Sequence, residues 1–338
     1  MKLDALLDFD TDLNGVPELA ERAENNGFSG IWMAEVRRDP FLPVAVAATA
    51  SRRLLLGTSV AVAFARSPTA VAHTAWDLAA ASGGRFVLGL GTQVRAHVER
   101  RFAMSWSGSP VAQMRDYIAA VRAVWHAWQS GERLDQRGTH YPISLMTPFF
   151  SPQPMPHAAV PIHIAAVGPR MCELAGETAD GLIVHPLHSP EYLAQVVRPA
   201  VAAGARSAGR DAASIQVTAL VFVALDDADR HDVRRDIAFY ASTPSYRGLL
   251  RLHGWDATAE RLSYLARQRR WADMPQLVSD DMVEAFSVSG RWSELAGQLR
   301  RRYEGMLDRV ALYRPYGRAN DEGGWLQVLA ELSDPANA

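Results

Sequence analysis

The stretch IAAVGPRMCELAGETADGLIVHPLHSP, Ile164 to Pro190, decides how this chain is to be read. An apolar run ends at Val167, Gly168 and Pro169 make a turn, and a short amphipathic segment follows to Thr178. A second apolar run, GLIVH, then ends in His185, with His188 close behind. Two strands of this buried type joined by one helix form a parallel pair, because a parallel connection needs a crossover and a helix usually supplies it. A glycine turn that opens a helix also offers free N–H groups to an anion. Yet the spacing is neither GxGxxG nor the phosphate loop of the nucleotide-hydrolysing enzymes.

Working outward, the same alternation continues on both sides. LDALLDF (Leu3 to Phe9), FSGIWMAE (Phe28 to Glu35), LLLGTSVAVA (Leu54 to Ala63), RFVLGLG (Arg85 to Gly91), PIHIAAV (Pro161 to Val167), GLIVH (Gly181 to His185), IQVTALVFVAL (Ile215 to Leu225) and RVALY (Arg309 to Tyr313) make eight candidate strands. Most are continuous apolar runs, as strands buried on both faces are, and helical stretches separate nearly all of them. Between the first two, Pro17 and Gly27 stand where a helix starts and stops. Eight such units predict an α/β fold, a (β/α)8 TIM barrel, rather than an open doubly wound sheet, and no nucleotide-binding turn follows Phe9. The chain is expected to be one domain over 1–338, with insertions before strand 5 (about 129–159) and before strand 8 (about 226–302). The first insertion is Pro-rich and carries Met146, Phe149 and Phe150, which suggests an apolar lid over the site.

Composition narrows the function. Lys+Arg number 35 against 37 Asp+Glu, with no basic block, so no nucleic-acid footprint is expected. No run of about 18 apolar residues exists, so no membrane span is expected. A single cysteine, Cys172, forms no internal disulfide, and the N-terminus lacks a signal-peptide pattern; both fit a cytoplasmic protein. His163 lacks an HxH partner on its strand, which argues against a metal-dependent barrel hydrolase, and no metal is expected.

Barrel active sites form at the C-terminal ends of the strands. The polar residues there are Asp8, Asp10, Glu35, Arg37, Arg38, Ser59, Arg66, Thr92, Gln93, Arg95, the Gly168 to Arg170 turn, His185, His188, Tyr313 and Arg314. Helix-start N–H groups at Gly168, Pro169 within the first turn and the charge of Arg170 suit a phosphate; the same residues also suit a plain strand-to-helix turn. His185 and His188 have the chemistry to donate a proton or bind an anion, and equally suit loop histidines hydrogen-bonded for structure. The Arg95, His97, Arg100, Arg101 run reads as a solvated helix face, and Trp32, Trp106, Trp125 and Trp128 as packing residues.

The segment ARSPTAVAHTAWDLAAASGGRFVLGLGT (Ala65 to Thr92) resembles one shared by the bacterial luciferase-like oxidoreductases, with Arg66, Pro68, Ala72, Leu78, Ser82, Gly84, Arg85, Gly89 and Gly91 at that family's spacing. VPIHIAAVGPRMCELAGETADGLIV and GFSGIWMAE are similar to two further segments of the family, and the order agrees along nearly the whole chain. Within the family the chain most resembles the branch that uses the deazaflavin coenzyme F420; FMN, as in the monooxygenase branch, is the alternative cofactor. The resemblance implies hydride transfer between deazaflavin C5 and a small organic substrate. It also implies a non-prolyl cis peptide between Ser59 and Val60, in a bulge that supports the ring. It places the coenzyme phosphate at Val167, Gly168 and Pro169 with the helix that follows, where Arg170 adds charge, and the ring's polar rim at Thr92; Gln93 beside it is a further cofactor-binding candidate. Glu35 then faces the reactive edge, with His185 and His188 where the substrate begins, so the three are the candidate catalytic residues. Where many relatives have a second glycine and then an acid after the fourth strand, this chain has Gln93 and Val94, so Glu35 or a histidine must act as proton donor, or the chemistry differs. A non-catalytic cofactor-binding protein is the remaining alternative, and a homodimer is a possible assembly.

Overall fold

A computed structural model describes residues 1–318 and 321–333. The eight expected runs all become strands: β1 (Lys2–Leu6), β2 (Gly30–Met33), β3 (Leu55–Thr58), β4 (Phe86–Gly91), β5 (Ile162–Ala166), β6 (Gly181–Val184), β7 (Gln216–Ala224) and β8 (Arg309–Leu312). Each pairs in parallel with the next, and β8 closes on β1 with Lys2 opposite Arg309 and Leu3 opposite Val310. The result is a closed (β/α)8 barrel with helices around it.

The barrel interior is filled in layers. Leu6, Trp32, Val87, Ile183, Leu220 and Ala311 form an apolar layer, on which Phe9, Val60, Ala165 and Tyr313 pack from the side of the strand ends. Trp32 lies inside the barrel because Gly57 has no side chain: a Cβ there would come within 2.3 Å of the indole. Gly181 makes the same room for His163, at 2.6 Å. At the strand starts, Asp4 and Arg309 form a buried ion pair with side chains 0% and 3% exposed, and the Trp32 indole N–H donates to Asp4 Oδ2 at 2.8 Å. Burial pushes the Asp4 carboxyl up from its ordinary value, against the pull of Arg309, its hydrogen bonds and Lys2.

The third strand is not continuous. Leu56 and Gly57 pair with Phe86 and Val87, but Ala61 and Val62 pair with Leu90 and Gly91, so one extra residue lies on the third-strand side between the two sets. The Ser59–Val60 peptide inside this bulge is cis, as expected from the family resemblance.

The stretch 129–159 differs from its expected role. The helix Pro110–Ser130 runs back from the end of β4, so its last turn lies at the opposite end of the barrel from the strand ends. The segment carrying the phenylalanines is tied to that last turn. Trp128 Nε1 donates to the Met146 sulfur, Gln129 Oε1 accepts from the Met155 N–H at 3.0 Å, and His157 packs against Gly84, just before β4. Phe149 and Phe150, 89% and 64% exposed, therefore hang at the N-terminal end of the barrel and do not form an apolar lid over the mouth.

Candidate active site

The bulge sits directly on the fourth strand. Thr58 Oγ1 donates to the Gly89 carbonyl at 2.7 Å and accepts from the Gly89 N–H at 3.0 Å. A Cβ at Gly89 would lie 1.7 Å from the Thr58 carbonyl oxygen, and one at Gly91 would lie 2.5 Å from Val60 Cγ2. Both glycines of GLG are therefore required by the approach of the bulge. On its other side Ser59 N–H donates to the Met33 carbonyl at 2.7 Å, and the Val60 carbonyl accepts from Glu35 N–H at 3.2 Å. Ser59 is buried, while Val60 is part of the apolar floor at the barrel mouth.

Glu35 stands beside this floor, its side chain 7% exposed. Its Oε2 accepts from the Val62 N–H at 2.7 Å and from Arg66 Nη1 at 2.6 Å, and Arg66 Nη2 reaches Asp39 Oδ2 at 3.0 Å. Burial alone would lower the Arg66 pKa, but the two carboxylates outweigh it and hold the guanidinium above its ordinary value. Arg66 of the signature segment is thus the partner that fixes Glu35.

After β4, Gln93 adopts φ 60°, a left-handed backbone that costs a side-chain-bearing residue and suits glycine. A glycine, which the family resemblance leads one to expect here, would adopt this backbone without that cost. The Gln93 Oε1 folds back to accept from Val94 N–H at 3.0 Å, and Thr92 Oγ1 donates to the Gln93 carbonyl at 3.0 Å. Val94 leaves no acid in this loop.

The Val167–Arg170 turn caps the helix Pro169–Thr178, with Gly168 at φ −83° and ψ 155° and Pro169 in the first turn. A Cβ at Gly168 would meet nothing within 4 Å, so the protein's own packing does not demand this glycine. Tyr192 Oη donates to the Val167 carbonyl at 3.0 Å and ties the turn to the segment after β6. Arg170 is exposed and has no ion-pair partner among the described residues.

The two histidines part company. His185 Nδ1 accepts from the Leu187 N–H at 3.0 Å, which leaves the neutral ring's proton on Nε2. Its ring meets Tyr240 edge-on at 4.3 Å and Tyr246 at 4.9 Å. Burial, with a smaller effect of His188, pushes His185 down to about 3, so it is not a cationic acid at neutral pH. His188 is buried. Its Nδ1 donates to the His185 carbonyl at 2.9 Å and its ring packs 5.5 Å from that of Tyr303, on the interior side of the loop. His188, expected where the substrate begins, thus holds the His185 loop through Nδ1, and its buried Nε2 has no hydrogen-bond partner among the described residues.

A cleft of about 540 Å³ opens beside the floor, lined by Phe9 and Asp8 after β1, Arg37 after β2, Phe222 on β7, Tyr313 and Arg314 after β8, and one face of the helix Asp227–Ala241. That face supplies Asp229, Asp232, Asp236 and Tyr240, and Tyr240 Oη lies 2.9 Å from Tyr313 Oη. In the sequence this helix reads as part of a polar insertion and not as a cleft wall. The signal was present: 229, 232, 236 and 240 recur at the spacing of one helical face.

The model of the luciferase-like monooxygenase family matches residues 3–309. An uncharacterized protein of Mycobacterium tuberculosis is 46% identical over 299 residues, covering 87% of this chain and 88% of that protein. A putative coenzyme F420-dependent oxidoreductase of the same organism is 30% identical over 292 residues, covering 81% and 83%. The coenzyme F420-dependent tetrahydromethanopterin reductase of Methanopyrus kandleri superposes over 100% of this chain and 99% of its own with a TM-score of 0.79, at 20% identity. By the family match and these identities, the chain belongs to the luciferase-like monooxygenase family of oxidoreductases.

Proposed function

We propose that this protein is a coenzyme F420-dependent oxidoreductase that moves a hydride between the deazaflavin and a small organic substrate. The observation that carries the reading is the pairing of two features on one barrel mouth: the Ser59–Val60 bulge on an apolar floor, and the open glycine turn that starts a helix after β5. Relatives named for F420 support the choice of cofactor.

The residues suit the group. Val60, Ala165 and Phe9 offer an apolar face to a flat ring. Gly168 leaves open space where another residue would project, and helix-start N–H groups with Arg170 nearby suit a phosphate. The cleft volume of about 540 Å³ lies within the ordinary range for ligand sites. Bound here, the deazaflavin supplies the hydride acceptor and donor at C5. The chain's own part is to hold the ring on Val60, fix its rim near Thr92 and Gln93, anchor its phosphate at Val167 to Arg170, and hold the Glu35 side chain against Arg66 next to the floor.

Fluorescence titration of the purified protein with oxidised coenzyme F420 and, separately, with FMN tests the reading. The account expects saturable binding of F420 and weaker FMN binding without oxygen consumption. Tight FMN binding with NADH-driven or reduced-flavin-driven oxygen uptake, and no F420 binding, would replace it with the monooxygenase alternative.

A further inference from the structure

Hydride transfer to or from a carbon bound to oxygen needs a group that moves the accompanying proton. The site as described leaves few candidates. No acid follows β4, where Gln93 and Val94 stand. Glu35 is taken up by Arg66 and the Val62 N–H as a hydrogen-bond acceptor. His185 is neutral, with Nδ1 already accepting, and His188 faces the interior. On the cleft wall Asp229 is paired with Arg314, Asp232 and Asp236 are paired with Arg235, and Asp8 is exposed, which leaves two phenols beside the floor. Tyr313, at the end of β8, packs on the layer that also carries Val60, and its hydroxyl lies 2.9 Å from that of Tyr240. Both line the cleft, as does Asp236 one helical turn before Tyr240.

Resting on the deazaflavin reading above, we propose that the Tyr240–Tyr313 hydroxyl pair is the proton-transfer site of this enzyme and that its substrate is an uncharged ketone or secondary alcohol. In the reducing direction the carbonyl carbon gains hydride while one phenol O–H bond breaks and its proton forms the substrate's O–H bond. The phenolate left behind takes a proton from its partner hydroxyl, and the partner regains one from bulk solvent, relayed by a cleft water that gives up one proton as it receives another. In the oxidising direction the same protons move in reverse, so neither direction needs a further oxidant or reductant beyond the coenzyme.

Three features support the pair. A hydrogen bond between two phenols lets either be donor while the other stabilises the charge left behind. Burial, before any neighbour's effect, raises Tyr240 above the ordinary phenol value and Tyr313 well above it, so both stay protonated at neutral pH. His185, edge-on at 4.3 Å, fixes the Tyr240 ring. The substrate class follows from the arginines of the cleft. Arg37 is paired with Asp10, Arg235 with Asp232 and Asp236, and Arg314 with Asp229 and Asp321, while Arg318 lies at the exposed rim. Among the described residues, only the exposed Arg318 of the cleft-lining arginines has no ion-pair partner, and the wall around the phenols is Phe9, Phe222 and Phe239 with the carboxylates Asp229, Asp232 and Asp236, a lining that disfavours a phosphate or carboxylate.

The test uses the full chain, as wild type and as Tyr240→Phe, Tyr313→Phe and the double variant. Deazaflavin affinity is measured first; failure of the wild type to bind it would sink the cofactor reading and not the tyrosine pair by itself. With F420 bound, a panel of acetone, 2-butanone, cyclohexanone and their alcohols is compared with 2-oxo acids. Expected are turnover of the neutral compounds only, a drop in kcat of at least about a hundredfold in either Phe variant, little change in KM or deazaflavin affinity, and a solvent deuterium isotope effect that the double variant lacks. A readout independent of turnover is the ζ-13C signal of each tyrosine in the cofactor-free protein, identified by its loss in the matching variant. Both signals are expected to shift when acetone is added. Wild-type kcat in the Phe variants, turnover confined to 2-oxo acids, no turnover of any panel member, or unmoved ζ-carbon signals would each overturn the proposal.

Discussion

His163 and His188 are buried and His185 is half-buried, and the fold keeps all three rings neutral. Desolvation, the largest influence on each, pushes them down to about 4, 3 and 4 respectively. In the unfolded chain a histidine titrates near 6.5. Each folded pKa is depressed, so the unfolded state gains protons first. Stability is fully present above about pH 6.5 and is lost as pH falls toward 4, by up to about 1.4 kcal/mol per pH unit for each histidine. Urea unfolding at pH 7, 6 and 5 is expected to show a falling midpoint, and His188→Gln is expected to reduce that dependence by about one proton; an unchanged pH dependence in the variant would contradict the assignment. At this scale the sequence was read unevenly. Glu35 and Arg66 stood at the strand ends as expected, but their pairing needed the fold. A histidine's titration depends on what buries it, and neither His185 nor His188 carries that information in its neighbours along the chain.

Strands β1, β2 and β8 meet at Asp4, Trp32 and Arg309. The Asp4 carboxylate accepts from Arg309 Nε at 2.7 Å and from Trp32 Nε1 at 2.8 Å, all inside the barrel. Removing one partner leaves a buried charge without compensation, whereas removing both does not. Asp4→Ala is expected to lose about 3–5 kcal/mol of stability, and Asp4→Ala with Arg309→Met to recover a good part of it, both measured by denaturant unfolding. A loss in Asp4→Ala below about 1 kcal/mol, the scale of an exposed pair, would contradict this. The strands themselves were legible because runs buried on both faces show as continuous apolar segments. The break in the third strand was not, since TSV continues an apolar run and only the family resemblance marked it. The 129–159 loop was misplaced for a related reason: Phe149 and Phe150 announce exposed apolar surface, but only the direction of the preceding helix tells which end of the barrel they occupy.

Across the whole molecule the mouth has two unlike halves. On the β3 to β5 side lie the bulge, the Gln93 loop and the open turn at Gly168. On the side of β7, β8 and β1 lies the aromatic cleft with its paired arginines. The barrel and the first half were readable, because parallel strands and a glycine turn leave local patterns. The second half was not, because its wall is assembled from Phe9, the helix Asp227–Ala241 and Tyr313, distant in sequence and joined only by closure of the barrel. The two halves together make one prediction about a single ligand. A crystal structure of the protein with oxidised coenzyme F420 is the most direct test: the account predicts the ring seated against Val60, its reactive face toward the Tyr240 and Tyr313 hydroxyls, and its phosphate at the Gly168 to Arg170 turn. A ring bound away from Val60, or a phosphate held elsewhere than this turn, would contradict it.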